Sequence, residues 1–590
     1  MSKSKAKDAS ANKDLVHPAG KSPNPHSSAA FREFVESVVI AVILAFLFRS
    51  FEAEAFVIPT GSMAPTLQGR HMDVACPQCG FQFRVGASSE NPDSEEQALV
   101  VSGVCPICRH RMTFDRRDPN QNSFNGDRIL VSKFSYDLFE PERWDVIVFK
   151  YPGNAKQNYI KRLVGLPGET VRIYQGDIFV RRGDNSELRI ARKPPDKLKA
   201  MLQLVDDSDY NAQALIDIGW PSRWQNWSAT GEEGGAGWEI FYEQEEENRS
   251  SQRFVASGGG KDQVAWLRYR HLVPNRDDWS HVLNGEKPAN LDQRRGSLIR
   301  DFYAYNTGQL ESYGPYAPPA FRPADDAGIH WVGDIALEAV LDVKSNDGAV
   351  LLDLVEAGVH YTCRIDVATG IATLSIDGGK GQFSHDDGSA STAEVQSKAP
   401  TPFKGAGSYK VRFCNADNQL TLWIDDKVIE FNGPTTYIPA GELRPHWSLD
   451  DPLDLAPLGI GVEGATVEAS QLRVFRDVYY IALIAGRYSN NDYETNLSEQ
   501  EIQAILDDPE RWDSTSLFVK RRWVEFKMGE DEFFPLGDNS PQSKDARIWE
   551  PPPYVRRELL TGKALFIYWP HHWRRPIPFM PNFERFGFIR

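Results

Sequence analysis

The chain has 590 residues, of which 41% are hydrophobic and 25% are charged. A chain of this length and composition can bury several cores, which excludes both one compact domain and disorder throughout. The net charge of -16 leaves no broad basic face. This balance excludes a general nucleic-acid binder.

The first 33 residues predict a disordered, basic tail. Before residue 30 they carry five lysines against two aspartates, together with Pro, Ser and Asn. Lysines next to an apolar segment favour the cytoplasmic side of a membrane. We therefore expect this tail to lie in the cytoplasm.

The apolar stretch 34–51 predicts a transmembrane anchor. Val38 to Phe48 is an unbroken apolar run, and with its flanks it reaches about the minimum length of a membrane-spanning helix. A cleaved export signal would end in small residues, whereas Arg49 and Glu52 follow here. The expectation is a single-pass protein of the cytoplasmic (inner) membrane, in contact with lipid, with most of the chain on the periplasmic or exoplasmic side.

The sequence after the anchor predicts a mainly β protein. Residues 52–75 and 116–184 hold β-branched and aromatic runs separated by Gly and Pro turns, and the same style returns at 515–590. Such runs indicate an antiparallel β-domain with one packed face and one solvated face. We expect these three segments to form one catalytic domain.

Residues 185–514 predict a large insert of a different character. Short alternating strands between turn residues indicate a β-sandwich, jelly-roll-like, over about 205–482. Its strand rhythm resembles concanavalin-like and laminin-G-like sandwiches. Three tryptophans could stack on a carbohydrate or lie in the core: Trp220, Trp224 and Trp227. A carbohydrate or protein ligand is the hypothesis for this insert.

Two CxxC motifs predict a zinc-ribbon-like insert over 76–115. The four cysteines are Cys76, Cys79, Cys105 and Cys108. Two tight turns with this spacing can present four thiolates tetrahedrally to a structural Zn²⁺. In an oxidising compartment the same cysteines could form two disulfides instead. Cys363 and Cys414, on candidate strands, could likewise pair or remain buried thiols.

Ser62 and Lys161 are the candidate catalytic pair. Ser62 lies in a Thr-Gly-Ser-Met turn, and Lys161 lies in an apolar strand. A serine hydroxyl needs a base to act as a nucleophile, and a lysine can serve once burial lowers its pKa. No histidine occurs in a triad-like setting. Alone, the two residues would be an ordinary turn serine and an ordinary strand lysine.

Five ordered segments give this pair its context. They are the apolar anchor with its RSF edge, FVIPTGSMAPTL, GDRILVSKF, WDVIVFKYP with YIKRLVGLPGETVRI, and PLGDNSPQSKDARIWE with GKALFIYWP. Together they resemble bacterial signal peptidase I, the membrane-bound leader peptidase with a Ser–Lys dyad. The segments cover roughly a quarter of the chain, and the resemblance explains nothing of the rest.

The resemblance implies a role for each matching residue. Ser62 matches the nucleophile, Lys161 the general base, and Thr60 the hydroxyl residue that completes the oxyanion hole with the Ser62 N–H. Ser543 matches the serine that orients the lysine. Four further residues match the last motif, where structural hydrogen bonds and a salt bridge are expected: Asp538, Asn539, Asp545 and Arg547. Ala546 departs from the family, many of whose members carry a small hydroxyl residue there.

The implied activity is removal of signal peptides of the Ala-X-Ala type from exported preproteins, with no metal or organic cofactor for catalysis. One alternative is a catalytically silent, membrane-tethered glycan-binding or adhesion protein on a peptidase scaffold. Retention of Ser62, Lys161, Thr60 and Ser543 together speaks against it. A self-cleaving cytoplasmic regulator with a Ser–Lys dyad is a third hypothesis, which the anchor and the lack of a DNA-binding segment disfavour.

Overall fold

A computed structural model describes residues 25–47, 53–94, 98–118, 121–183, 186–227, 237–257, 263–312, 328–385, 397–439, 441–486, 491–570, 572–573 and 580–590. Two compact units are present, one ending at Glu54 and the other spanning Ala55–Arg590. The second unit is mainly β, as the sequence predicts.

The first unit contains helix α1 (Pro25–Leu47). Among the described residues, no helix is both long enough and apolar enough to cross a membrane. The prediction of a transmembrane helix over 34–51 is therefore wrong. Arg32, Glu33 and Glu36 lie within α1, and these charged residues interrupt its apolar stretch. Of the predicted basic tail, residues 1–24 lie outside the described residues.

The chain then forms two antiparallel hairpins, β2 with β3 and β4 with β5. The first strands are β1 (Ala53–Val57), β2 (His71–Ala75), β3 (Gln82–Gly86), β4 (Ala98–Val104) and β5 (Arg111–Thr113). Each hairpin turn carries one CxxC motif, closed by backbone bonds from Gly80 N to Cys76 O (2.9 Å) and from Arg109 N to Cys105 O (3.1 Å). Gly80 and Arg109 have positive φ, +74° and +59°, as such tight turns require.

The next five strands contribute to two sheets, one of which carries Lys161. They are β6 (Arg128–Ser132), β7 (Val146–Tyr151), β8 (Asn154–Gly165), β9 (Glu169–Tyr174) and β10 (Asp177–Arg182), with helix α2 (Ser135–Leu138) after β6. Alternating β-branched and aromatic residues favour these strands, since they suit a pleated, half-buried surface.

The large insert supplies twenty strands and four helices. Its strands are β11 (Arg189–Ile190), β12 (Gln203–Asp207), β13 (Asn211–Ala212), β14 (Trp224–Trp227), β15 (Trp238–Glu246), β16 (Arg249–Ser257), β17 (Ala265–Tyr269), β18 (Gln309–Ser312), β19 (Ile335–Val343), β20 (Ala349–Glu356), β21 (Val359–Asp366), β22 (Ile371–Ile376), β23 (Phe383–Ser384), β24 (Lys398–Pro400), β25 (Gly407–Ala416), β26 (Gln419–Ile424), β27 (Lys427–Val428), β28 (Thr436–Tyr437), β29 (Leu458–Glu463) and β30 (Thr466–Arg476). Its helices are α3 (Pro195–Met201), α4 (Gln213–Asp217), α5 (Arg276–Leu283) and α6 (Glu499–Leu506). These counts refer to the described part of the chain.

The last segment returns to the sheets of the first. Its strands are β31 (Trp523–Lys527), β32 (Glu532–Leu536), β33 (Val555–Arg556), β34 (Leu560–Trp569), β35 (His572–Trp573), β36 (Met580–Pro581) and β37 (Gly587–Phe588). One sheet runs in the order β1-β6-β34-β7-β8-β32-β33, with β37 beside β34, and a second runs β11-β10-β9-β31. Strands far apart in sequence thus lie side by side around the candidate site.

The insert forms two facing antiparallel sheets. One runs β13-β16-β30-β19-β25-β26-β28-β23, and the other runs β14-β17-β29-β20-β21-β22-β24. Leu337 and Phe413 from the first sheet share one buried core with Leu352 and Ile460 from the second. Residues facing inward on both sheets therefore hold a β-sandwich together.

The end of the insert also packs into the buried core beside the sheet that carries Lys161. Val478, Tyr480 and Ala482 follow β30 and pack with Phe149 and Leu163 of the Lys161 sheet. On the other side, β18 pairs with β4 of the cysteine-bearing hairpins. The insert is thus in contact with both neighbouring parts of the second unit.

Candidate active site

Ser62 lies in a single 3-10 turn, Gly61–Met63, between β1 and β2. The preceding chain is fastened to the sheet by a bond from Ile58 N to Asp127 O (2.9 Å). Gly69 packs so closely that a Cβ there would lie 2.1 Å from the Thr60 carbonyl carbon. The nucleophile candidate is therefore held in a tightly packed turn, with only 7% of Ser62 exposed.

Lys161 lies in the buried half of β8, directly opposite Ile147 of β7. Its Nζ donates to Ser62 Oγ at 2.7 Å and to Ile160 O at 3.0 Å. Lys161 is only 4% exposed. The structure thus brings together two residues that are 99 positions apart in the sequence.

Burial lowers the pKa of Lys161 to about 8, although the carboxylates of Asp545 and Asp538 act in the opposite direction. Loss of hydration disfavours the charged ammonium, and the Arg547 guanidinium lowers the pKa further. At pH 7 about one Lys161 in ten is then neutral, whereas about one in three thousand would be at an ordinary lysine pKa.

Asp538 is paired with Arg162, the residue after Lys161. Arg162 Nε and Nη2 each donate to one Asp538 oxygen at 2.7 Å, and both side chains are fully buried. Thr66 Oγ1 donates to the same carboxylate. This bidentate pair fixes β8 against the loop after β32 and thereby positions Lys161.

Asp545 and Arg547 form a second buried pair. Arg547 Nε and Nη2 donate to Asp545 at 2.8 Å each, and Gly537 N donates to Asp545 Oδ2 at 3.0 Å. Arg547 also donates to Ser540 Oγ (2.7 Å) and to Ile481 O (2.9 Å). This network holds the Gly537–Asp545 loop and ties it to the end of the insert.

Asn539 contacts the nucleophile turn directly. Its backbone N–H donates to Ser62 O at 3.1 Å, and its Nδ2 donates to Gly61 O at 3.0 Å. A second amide, that of Asn306 in the insert, is bonded to it in both directions at 2.7 and 2.8 Å. Asn539 therefore holds the backbone on either side of the Ser62 amide.

Ser543 and Thr60 both lie beside the turn that carries Ser62. Ser543 Oγ is buried without a hydrogen-bond partner among the described residues, and the bonds of Lys161 Nζ go to Ser62 and Ile160. Ser543 Oγ nevertheless lies beside the turn, because a Cβ on Gly537 would be 2.1 Å from it and 2.5 Å from Ser62 O. Thr60 is extended and exposed, next to the turn.

The four CxxC cysteines meet at one point. Their Sγ atoms all lie within 4.8 Å of one another, and all four residues are buried. Cys76 Sγ lies 3.4 Å from Cys108 Sγ, and Cys79 Sγ lies 3.6 Å from Cys105 Sγ. Both distances exceed a disulfide bond of about 2.05 Å, and the thiols are free. The arrangement suits one tetrahedral metal ion.

Cys363 and Cys414 are both free and fully buried. Of the three tryptophans singled out from the sequence, Trp220 and Trp224 are buried, whereas Trp227 is half-buried. Trp224 faces the sandwich core, and Trp220 packs near the cysteine hairpins. Neither buried ring is accessible to a carbohydrate.

A family model described as signal peptidase, peptidase S26, matches residues 99–214 and 460–569. "Probable signal peptidase I-2" of Synechocystis is 27% identical over 186 residues, 31% of this chain and 60% of its own length. Signal peptidase I of Pseudomonas fluorescens is 41% identical over 83 residues, 12% of this chain and 29% of its own length. The resemblance to signal peptidase I is confirmed.

The matched residues, called the signal peptidase region below, contain Lys161 and the Asp538–Arg547 loop, whereas Ser62 precedes the region. The matched family and the curated relatives are described as signal peptidases. Signal peptidase I of Leptolyngbya laminosa, at 26% identity, is also covered over 60% of its length. The chain thus spans about 60% of the curated relatives that it matches over the longest stretches.

Two solved structures match at low identity and with low TM-scores. The carbohydrate binding module CBM66 from Bacillus subtilis is 12% identical with a TM-score of 0.18, over 40% of this chain and 95% of its own. The galectin LEC-6 of Caenorhabditis elegans is 12% identical with a TM-score of 0.15, over 24% of this chain and 83% of its own.

Sequence reasoning missed several residues that surround the candidate active site. They are Arg162, Thr66, Ser88, Asn306 and Gly537. Arg162 carried a usable signal, because an arginine in an otherwise apolar strand needs a buried partner. Ser88 and Asn306 come from the two inserts and carried no such signal. Ser88 Oγ accepts from Gly61 N at 3.1 Å.

Proposed function

We propose that the chain is a serine endopeptidase that removes N-terminal signal peptides from exported preproteins, with Ser62 as nucleophile and Lys161 as general base. The 2.7 Å contact between Lys161 Nζ and Ser62 Oγ carries this proposal. The lowered pKa of Lys161, about 8, supports it because a base acts best near its working pH. The location implied by the resemblance, and proposed here, is the exoplasmic surface of the cytoplasmic membrane.

Acylation begins with neutral Lys161. Its Nζ accepts the Ser62 hydroxyl proton while Oγ attacks the carbonyl carbon of the scissile bond. The resulting oxyanion is proposed to accept hydrogen bonds from the Ser62 N–H and the Thr60 hydroxyl. Each such donor can contribute about 3 kcal/mol to transition-state stabilisation. The Lys161 ammonium then protonates the leaving amine, which departs as the N-terminus of the mature protein.

Deacylation uses the same lysine. Neutral Lys161 takes a proton from water, the water oxygen attacks the acyl carbon, and Ser62 Oγ leaves and regains the proton. The released acid is the signal peptide. Ser543, beside the turn, is proposed to orient the Lys161 amine during this cycle, and its unpaired buried hydroxyl is consistent with such a role.

The substrate is proposed to be an extended peptide with small residues at positions -1 and -3, of the Ala-X-Ala type. Strand β1 lies at the edge of its sheet, and Ala55 and Val57 on it are exposed. An edge strand offers free backbone groups with which a peptide can pair. Residues 57–60 and 146–150 are the proposed walls of the groove.

Cleavage of an Ala-X-Ala preprotein by four purified variants tests the dyad. Ser62→Ala and Lys161→Ala should abolish cleavage, and the exposed Ser186→Ala and Lys344→Ala should retain wild-type rates. Far-UV circular dichroism checks that all four variants are folded. Cleavage by either dyad variant at the wild-type rate would rule the proposal out.

We also propose that the four CxxC cysteines bind one structural zinc ion. The support is their convergence within 4.8 Å and the two matching turns that present them. Such a site contributes folding free energy and takes no part in the peptidase reaction. Metal analysis should find about one zinc per chain, lost in Cys105→Ser and kept in the control Cys363→Ser. Mass spectrometry showing two disulfides among the four would exclude zinc.

A carbohydrate ligand is proposed for the sandwich, on one specific observation. Trp227 and Trp266 are paired across β14 and β17 and are both half-buried. Because their neighbours Trp224 and Leu267 face the core, the two rings lie on the outer face. Trp266→Ala should abolish binding on a glycan array while the exposed Trp523→Ala keeps it. Wild-type protein that binds no glycan would contradict the hypothesis.

A further inference from the structure

The large insert contributes a short turn to the candidate active site. Ala304–Asn306 form a 3-10 turn shortly before β18. Tyr305 is buried against the nucleophile turn, because a Cβ added to Gly61 would lie 2.2 Å from its ring. Its Oη donates to Arg70 O at 3.4 Å. The glycine at position 61 is therefore required by a residue of the insert.

The next residue, Asn306, fixes the orientation of the Asn539 amide. Asn306 Nδ2 donates to Asn539 Oδ1 at 2.7 Å, and Asn539 Nδ2 donates to Asn306 Oδ1 at 2.8 Å. The other N–H of Asn539 Nδ2 donates to Gly61 O at 3.0 Å. If the Asn539 amide were reversed, its oxygen would face the Gly61 oxygen, and both bonds to Asn306 would be lost.

The position of Gly61 O determines the direction of the Ser62 N–H. Both groups belong to the peptide bond between Gly61 and Ser62, which is planar and rigid. The carbonyl oxygen and the N–H point in opposite directions within this plane, so a donor that holds the oxygen also fixes the direction of the N–H. That N–H is the proposed oxyanion donor, and its aim decides how well it stabilises the transition state.

We propose that Asn306 is a positioning residue for catalysis: acting through Asn539, it aims the Ser62 N–H at the oxyanion. This inference rests on the proposed function, since it assigns a partner to the same reaction. The large insert then takes part in catalysis. Asn306 lies about 245 positions from Ser62 in the sequence, but two hydrogen bonds connect it through Asn539 to Gly61 O. Ser88 of the cysteine hairpins holds the preceding amide, that of Gly61, from another side.

The kinetic test compares Asn306→Ala with Asn211→Ala. Asn211 lies in the same insert, is half-buried like Asn306, and donates to Ser208 O and Ser250 O remote from the site. Asn306→Ala should lower kcat at least about tenfold with little change in KM, because the lost aim acts on the transition state. Asn306→Asp should not restore kcat, because its second carboxylate oxygen would face Asn539 Oδ1 where Asn306 Nδ2 donates.

A double-mutant cycle separates positioning from general damage. In an Asn539→Ala background, Asn306→Ala should cause no further loss of kcat, since its action passes through the missing amide. If the two single losses of kcat multiply in the double variant, the proposal is overturned. A raised KM with unchanged kcat in Asn306→Ala would overturn it as well.

Hydrogen exchange gives a readout that does not need cleavage. In Asn306→Ala the peptide over residues 58–67 should exchange its amide protons faster than in wild type and in Asn211→Ala. Unchanged exchange refutes the inference whatever the enzyme cleaves. If Ser62→Ala still cleaves preprotein, the proposed function fails separately, and the exchange result still decides whether Asn306 holds the turn.

Discussion

At the scale of single residues, the candidate active site is a set of charged side chains removed from water. Lys161, Arg162, Asp538, Asp545 and Arg547 are all nearly or fully buried. The two arginines are satisfied by bidentate carboxylates, whereas Lys161 has a hydroxyl and a carbonyl as partners. Burial without a bidentate counter-charge disfavours the Lys161 ammonium and lowers its pKa.

Under the proposed mechanism, the pKa of Lys161 sets the pH dependence of cleavage. The base must be neutral, so kcat/KM should rise with pH through about 8 and fall about tenfold per pH unit below that value. Initial rates on a preprotein between pH 6 and 10 measure the profile, with circular dichroism to confirm the fold at each pH. A rate that stays level across pH 6–9, or a limb near 10.5, would show that Lys161 is not the base.

Removing one partner of the Arg162–Asp538 pair should strongly lower the free energy of unfolding. Asp538→Asn leaves a fully buried guanidinium without its counter-charge, for which we expect a loss of about 3–5 kcal/mol in the free energy of unfolding. Glu525→Gln is the matched control, since the Arg172–Glu525 pair is part-exposed and should contribute less than about 1 kcal/mol. Urea denaturation measures both, and equal losses would contradict the assignment.

At the scale of elements, the nucleophile turn is confined by close backbone contacts. Gly69 packs against the Thr60 carbonyl, and Gly126 packs against the Ile58 carbonyl, where a Cβ would lie 2.0 Å from the oxygen. Neither glycine has a positive φ. Close approach therefore explains the two glycines, and conformational freedom does not.

Gly69→Ala should displace the nucleophile turn. The added methyl group has to push the Thr60–Gly61 peptide away, so we expect at least a tenfold loss of kcat and a destabilisation of about 1–3 kcal/mol. Gly587→Ala, which meets open space, should leave both quantities unchanged. The measurements are preprotein cleavage and urea denaturation. Wild-type kcat in Gly69→Ala would show that the turn tolerates movement.

What the sequence could predict also differs from element to element. The alternation of the insert strands indicated a sandwich, and the ordered motifs pointed to Ser62, Lys161 and the Asp538–Arg547 loop. The anchor was predicted wrongly because its apolar flanks were counted although Glu33 and Glu36 interrupt them. Asn306 could not be predicted, since only the folded insert brings this polar loop residue to Asn539.

At the scale of the whole molecule, the second unit is interlocked. Lys193 at the start of the insert bonds Asp417 (2.7 Å) and pairs with Asp477 (2.8 Å), with all three buried. Trp279 of α5 donates to Cys108 O of the cysteine hairpins at 2.8 Å. Arg547 also donates to Ile481 O. Together these bonds connect the β-sandwich, the cysteine hairpins and the sheets around Lys161.

Heat should therefore unfold the second unit in one step. Tryptophan fluorescence, dominated by the many tryptophans of the insert, and residual preprotein cleavage should fall at the same temperature, because neither part keeps its buried contacts alone. A fluorescence transition that leaves cleavage intact would show instead that the sandwich unfolds on its own.

The bond from Asn539 Nδ2 to Gly61 O joins residues 478 positions apart, and this separation has a consequence for the time of synthesis. A ribosome adding about 5 to 20 residues per second needs roughly 25 to 95 s to travel that distance. Throughout this interval the ribosome has already synthesised the turn that carries Ser62 but has not yet synthesised the loop that contains Asn539. We expect the emerging chain to be unable to cut itself or its neighbours, and to become a peptidase only when translation is almost finished.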